Sequence, residues 1–216
     1  MSWMLAPGIG YCEVGGELVF LDLARDRYFA LRGDDRAAFE RLRSGAFNDS
    51  DAMTGLVRTG LLAHSDGRGG LDPASVAIPT SDLSARDDGF SMAGGVTAAR
   101  SLYWARRAMR PNRIGATVAS LAVAKQRIGG AKREGEIVAV AARYAASRWI
   151  VPISPRCLVD ALALDRILLG RGLAATLVFG VRTNPFAAHS WLQSSDTVLT
   201  GTAAEARNFT PILTVG

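Results

Sequence analysis

Ser154-Pro155-Arg156-Cys157-Leu158-Val159-Asp160-Ala161-Leu162 is the stretch on which the reading of this chain turns. An extended approach from Trp149 runs through Pro152 and Pro155, and apolar residues then recur at Leu158, Ala161, Leu162, Leu164, Ile167 and Leu168. That spacing predicts a helix beginning at Cys157 and ending at Gly170 or Gly172. A thiol at such a helix start sits at the positive end of the helix dipole, which favours the thiolate. Thirty-two residues later comes His189, within Ala187-Ala188-His189-Ser190-Trp191-Leu192-Gln193, which reads as a strand. The chain has two cysteines and two histidines, and one of each falls where a cysteine hydrolase places its nucleophile and its base.

Working outward, Ala174–Val181 reads as a buried strand, Asn184-Pro185-Phe186 as a turn, and Ala188–Gln193 as the next strand. Ser194-Ser195-Asp196 makes a tight turn, Thr197–Thr200 a returning strand, and Phe209–Leu213 a short last one. Upstream, an Ala-, Arg- and Val-rich region predicts helices at about 96–109, 115–128 and 134–147, punctuated by Pro111 and Gly129-Gly130. The second half of the chain is therefore α+β, a helix packed on an antiparallel sheet.

The first half has a different organisation. Ile9–Val14, Glu17–Leu23 and Arg27–Leu31 alternate like strands, joined by Gly15-Gly16 and by Ala24-Arg25-Asp26. Two short helices follow, Arg36–Arg43 after a capping Asp and Ala52–Arg58 capped by Ser50 or Asp51. This meander-and-helix unit is complete by residue 65. Ser65–Gly70, Pro73, Pro79 and the polar run Ser81–Gly89 mark residues 66–95 as a linker, leaving 96–216 as the second domain.

Bulk composition narrows the function classes. Hydrophobic residues make up 49% of the 216, enough for a real core. The net charge of +5 comes from Arg spread at helical spacing, and aromatics are only 7%, which argues against nucleic-acid binding. Two cysteines 145 positions apart form no disulfide framework, and no Cys or His spacing suggests a metal or other cofactor. The N-terminus lacks the regions of a signal peptide, and the apolar stretches fall short of the roughly 20 residues a membrane span needs. The expected setting is a reducing cytoplasm, in which Cys157 stays free.

Nucleophilic catalysis by Cys157 needs a base, a group that orients the base, and oxyanion donors. The Cys157 N–H at the helix start supplies one donor. A hairpin turn centred near Ser195 sets His189 opposite Gly201, and neither Gly201, Thr200 nor Thr202 carries a carboxylate. Asp196 lies in the turn, on the order of 20 Å along the strand from His189, too far to orient it. The third member is therefore left open among Thr200, Thr202, a backbone carbonyl and an ordered water. Cys12 alternates within the first hairpin and is expected in the core, and His64, beside a loop, on the surface.

Cys157–Leu164, Ala174–Val181 and Pro185-Phe186-Ala187-Ala188-His189-Ser190-Trp191-Leu192 together resemble the papain/transglutaminase-like cysteine protease of lasso peptide biosynthesis, the leader peptidase or B protein. Asn208-Phe209-Thr210-Pro211-Ile212 is similar to that family as well. Val19-Phe20-Leu21-Asp22-Leu23 and Arg27-Tyr28-Phe29-Ala30-Leu31 resemble the winged-helix-like recognition element of the pyrroloquinoline quinone D type. In this order they resemble the fused form of the B protein. The family pattern has an Asp near the position of Gly201, so this chain departs from it there.

The resemblance implies a cysteine peptidase that takes Cys157 as nucleophile and His189 as general base and acid. Residues 1–65 would bind the leader of a ribosomally made precursor peptide as an added strand, with Tyr28, Phe29, Leu56 and Leu61 expected in the groove. The second domain would cut leader from core, and an ATP-dependent cyclase similar to asparagine synthetases would close the ring. The departure at Gly201 motivates an alternative, a leader-binding scaffold with a degenerate peptidase half. Acyl transfer to an amine, as in true transglutaminases, is a third outcome.

Overall fold

The computed structural model describes all residues except 1, 46–49, 66–69, 85–90, 111 and 130–132. Parts of the expected turn cluster and polar run, together with Pro111 and Gly130, therefore lie outside the described residues.

The N-terminal unit begins with a strand not anticipated from sequence, β1 (Ser2–Leu5). The expected meander follows as β2 (Ile9–Val14), β3 (Glu17–Asp22) and β4 (Arg27–Leu31), in the order β2-β3-β4. Val14 pairs with Glu17 around Gly15 and Gly16, both at positive φ, which is the backbone a two-residue hairpin turn demands. Helix α1 (Gly33–Arg43) starts earlier than expected. Its N-cap is Arg32, and Asp34 and Asp35 lie in the first turn, where they face the positive end of the dipole rather than cap it. Helix α2 (Ser50–Arg58) leads into β5 (Leu62–Ser65), which pairs antiparallel with β1 and ties the two ends of the unit together.

The segment expected to be a plain linker contributes β6 (Ser81–Asp82). Three helices follow, α3 (Met92–Ala108), α4 (Ile114–Ile128) and α5 (Glu134–Arg148), close to the ranges expected. Helix α6 starts at Cys157 and runs to Leu169. Beyond it come β7 (Thr176–Arg182), β8 (Ala187–Ser194), the short β9 (Thr197–Val198), a one-turn helix α7 (Ala203–Ala206) and β10 (Thr210–Val215). The sheet order is β10-β7-β8-β9-β6, antiparallel except for the β6–β9 pair. Helix α6 packs on β7 and β8, with α3, α4 and α5 around it.

Strand alternation explains how the two units meet. On the meander, Tyr11, Leu18, Phe20 and Leu31 turn toward Phe39, Leu42, Leu56 and Leu61 of the first unit. The intervening Cys12, Val19 and Leu21 turn the other way, into one core with Leu102, Leu121, Leu162, Leu164, Leu177 and Ile212. Both faces of a three-stranded sheet are thus buried, one by its own helices and one by the second unit. Cys12 lies in this shared core, as expected from its place in the hairpin. Gly10 marks the closest approach, since a β-carbon there would sit 2.2 Å from the Ile212 carbonyl oxygen.

A buried ion pair braces the second unit from within. Lys125 on α4 donates to the carbonyls of Ala175 (2.6 Å) and Val215 (2.9 Å), and so holds the start of β7 to the end of β10. Its Nζ also lies 3.0 Å from Asp165 Oδ2 on α6, with neither side chain exposed.

Candidate active site

The start of α6 is held by one carboxylate. Asp160 Oδ2 accepts the backbone N–H of Arg156 (3.0 Å), the residue that caps the helix. Its Oδ1 accepts from Tyr144 Oη (3.1 Å) and from Arg148 Nε. The same guanidinium donates to the Ile153 carbonyl (2.8 Å), so Arg148 clamps the 149–156 approach against the first turn of α6. Cys157 is thereby fixed at the first helical position, where its N–H has no carbonyl partner within the helix.

The alternation of β8 sets the other half of the site. His189, Trp191 and Gln193 share one face, and Trp191 Nε1 donates to Gln193 Oε1 (2.7 Å). The His189 ring packs between Trp191 (centroids 5.8 Å) and Phe209 (5.1 Å), which limits its rotation. Ser190 points to the α6 side. Both residues reach Cys157 from the strand end.

Cys157 is exposed to the cleft. Partial burial alone pushes its thiol pKa up, but the His189 imidazole and the hydroxyl and backbone N–H of Ser190 outweigh that and bring it down to about 7. Cys12, with only burial acting on it, is pushed up to about 11. The two thiols are therefore shifted in opposite directions, Cys157 toward the thiolate and Cys12 away from it. The cleft beside Cys157 has a volume of about 800 Å³ and is lined by His189, Ser190, Thr200, Gly201, Glu205 and the apolar Leu83, Trp149, Val151 and Ile153. Among the described residues no group of three or more His, Cys, Asp or Glu could hold a metal ion.

A match to the family model described as the transglutaminase-like superfamily runs over residues 94–214, just over half of the chain, and includes Cys157, His189 and Glu205. The chain belongs to the transglutaminase-like superfamily. It is also similar to the microcin J25-processing protein McjB of Escherichia coli, 49% identical over 43 residues. That match covers 20% of this chain and 21% of McjB, so it spans about a fifth of the curated relative. No solved structure matches. No helix among the described residues is long and apolar enough to cross a membrane.

The other residues singled out from sequence fall as follows. Gly201 comes beside His189, with a β-carbon position 3.7 Å from Nε2. Strand β9 ends at Val198, and the chain is then held to β8 by the Leu199 N–H to Leu192 carbonyl bond (2.8 Å) and by Thr200 Oγ1, which accepts from the Leu192 N–H (3.0 Å). Thr200 is thus spent on the hairpin, and Thr202 caps α7. Asp196 sits in the turn and accepts from Thr80 Oγ1 (3.0 Å), away from the cleft. His64 is exposed on β5 with its ring against Trp3 (4.2 Å).

The four residues expected in a leader groove do not lie together. Leu56 and Leu61 are fully buried against Tyr11, Phe20 and Phe39, and offer no surface to a peptide. The amphipathic α2 turns its apolar side inward because the small first unit has few other residues to fill its core. Phe29 and Tyr28 occupy opposite faces of β4. Phe29 stacks on Phe20 (5.6 Å), whereas Tyr28 packs edge-on to Phe186 (5.7 Å); burial chiefly, then the charges of Asp26 and Cys157, push the Tyr28 pKa up to about 12.

Glu205 is the cleft residue that sequence reading passed over. Thr202-Ala203-Ala204-Glu205 is the spacing of a capping box, a signal that α7 begins directly after Gly201. The Thr202 hydroxyl indeed accepts the Glu205 N–H (3.1 Å).

Proposed function

We propose that this protein is a cysteine peptidase of lasso peptide maturation, which binds the leader of a ribosomally made precursor and cuts it from the core. The Cys157 thiol, drawn down to about 7 by His189 at a helix start within an open cleft, is the observation that carries this reading. The Cys157 thiolate attacks the scissile carbonyl carbon, and first-turn N–H groups of α6 receive the developing oxyanion. His189, holding the thiol proton, passes it to the departing amine. Water then attacks the thioester, giving a proton back through His189 and releasing the leader carboxylate. The freed core amine is what an ATP-dependent cyclase needs next.

The first unit acts here as the leader-recognition element of the pyrroloquinoline quinone D type. Its β4 is an edge strand of the meander, with unpaired main-chain groups for an added peptide strand. Tyr28 on that strand supports the pairing of the two tasks, because a residue of the proposed recognition edge lies close enough to Cys157 to feel its charge. A leader bound along β4 delivers the following residues to the cleft at high effective concentration.

A leader-binding scaffold is the second reading, favoured by Gly201 and by the His189 Nε2, which is buried without a hydrogen-bond partner. Incubating the protein with its precursor, with and without the cyclase, and reading intact masses separates the two. A single cut that disappears in Cys157→Ala, with leader binding retained, is the expected result. Leader binding with no cut under either condition would replace the peptidase with the scaffold, and an amine adduct would indicate acyl transfer.

A further inference from the structure

The His189 ring lies close enough to Cys157 to lower its thiol pKa. Its Nε2 is buried and has no hydrogen-bond partner among the described residues. A buried polar atom left without a partner is destabilising, so it is a place to look for a group that engages during function. One point in the cleft, the β-carbon position on Gly201, lies 3.7 Å from His189 Nε2 and 3.4 Å from Glu205 Oε2. Gly201 leaves that point free of side-chain atoms, and its φ of 83° is one that glycine adopts without strain. The Glu205 carboxylate is exposed and accepts a 3.3 Å hydrogen bond from the Thr202 hydroxyl, the one side-chain hydrogen bond it makes among the described residues. Nε2 and the Glu205 carboxylate thus flank the same side-chain-free point.

We propose that Glu205 is the positioning residue of His189, reaching across Gly201 to accept a hydrogen bond from Nε2–H and stabilise the imidazolium that forms beside the Cys157 thiolate. The role rests on the assignment of Cys157 and His189 as a reactive pair. Nε2–H donates to the carboxylate, which stays ionised throughout and takes no proton. Asp82 and Asp196, the other nearby acids on this end of the sheet, are engaged with the Ala203 N–H (2.5 Å) and with Thr80. The basic groups lining the cleft are Arg148, held by Asp160, and Arg156.

The test is the pH dependence of iodoacetamide alkylation at Cys157, located by peptide mass, in the full-length protein. It reads the ion pair directly and requires no peptide substrate. Glu205→Gln should raise the midpoint by roughly 0.5–1 pH unit, because the imidazolium loses a facing negative charge. Cleavage should then lose kcat by about 10²-fold with little change in KM. Glu205→Asp should recover part of both, and Gly201→Asp placed in the Glu205→Gln background should return the midpoint toward that of the wild type. A purely structural role in capping α7 predicts lower thermal stability with an unmoved midpoint. An unchanged midpoint in both Glu205→Gln and Glu205→Ala overturns the proposal. A wild-type protein that cuts nothing, yet shows the midpoint shift, refutes the peptidase reading and leaves the role of Glu205 standing.

Discussion

Lys125 and Asp165 face each other at 3.0 Å with both side chains fully enclosed, joining α4 to α6. Burial pushes the Asp165 carboxyl up to about 6 despite the ammonium beside it, and burial also lowers the Lys125 pKa. Lys125 further satisfies two strand carbonyls, so its removal leaves three acceptors stranded. Lys125→Met is expected to destabilise the protein by about 3–5 kcal/mol, because it leaves a lone buried carboxylate. Pairing it with Asp165→Leu should recover much of that loss. Urea unfolding of the single and double variants gives the coupling, and additive losses would argue against a paired role.

The pKa of Cys157 gives the pH dependence its sign. The thiol is depressed to about 7, so the reactive thiolate accumulates as pH rises through 7 and is lost below it. Alkylation of Cys157 should therefore have its midpoint near 7, while Cys12 stays unlabelled in the folded protein because burial holds it at about 11. His189→Ala removes the largest of the groups that favour the thiolate, and should move the Cys157 midpoint up toward that of an ordinary thiol, about 8.5. A midpoint that stays near 7 in this variant would show that Ser190 and the helix start act alone.

Gly10 tests the union of the two units. A methyl at this position would meet the Ile212 carbonyl oxygen at 2.2 Å and Leu213 Cβ at 2.9 Å, contacts that only a backbone shift relieves. Gly10→Ala should cost about 1–3 kcal/mol, in the range of an overpacked core. Chemical unfolding at constant slope measures it. A midpoint equal to that of the wild type would mean that β2 does not bear on β10 this closely in solution.

Much of the site was legible locally. The helix start at Cys157, the strand carrying His189 and the hairpin that returns toward Gly201 follow from periods of 3.6 and 2 and from turn residues, signals carried within a dozen neighbouring positions. The capping box at Thr202 was equally local, and reading it would have placed Glu205 on a helix beside the cleft. The same local signals failed for Leu56 and Leu61, since an apolar residue on a helix face reads alike whether it lines a groove or fills a core.

What the amino-acid sequence determined by itself is therefore the nature of most elements, with the short β1, β6 and α7 among the exceptions, and the choice of Cys157 and His189 as the candidate pair. Tertiary structure alone decided which elements meet. It put Cys12, Val19 and Leu21 against the second unit, drew β6 from the linker onto β9, closed Lys125 on Asp165 and brought Glu205 to the Gly201 gap. Such contacts join residues that are distant along the chain, and they depend on which buried faces find one another once water is expelled. No pattern within a single segment encodes that choice.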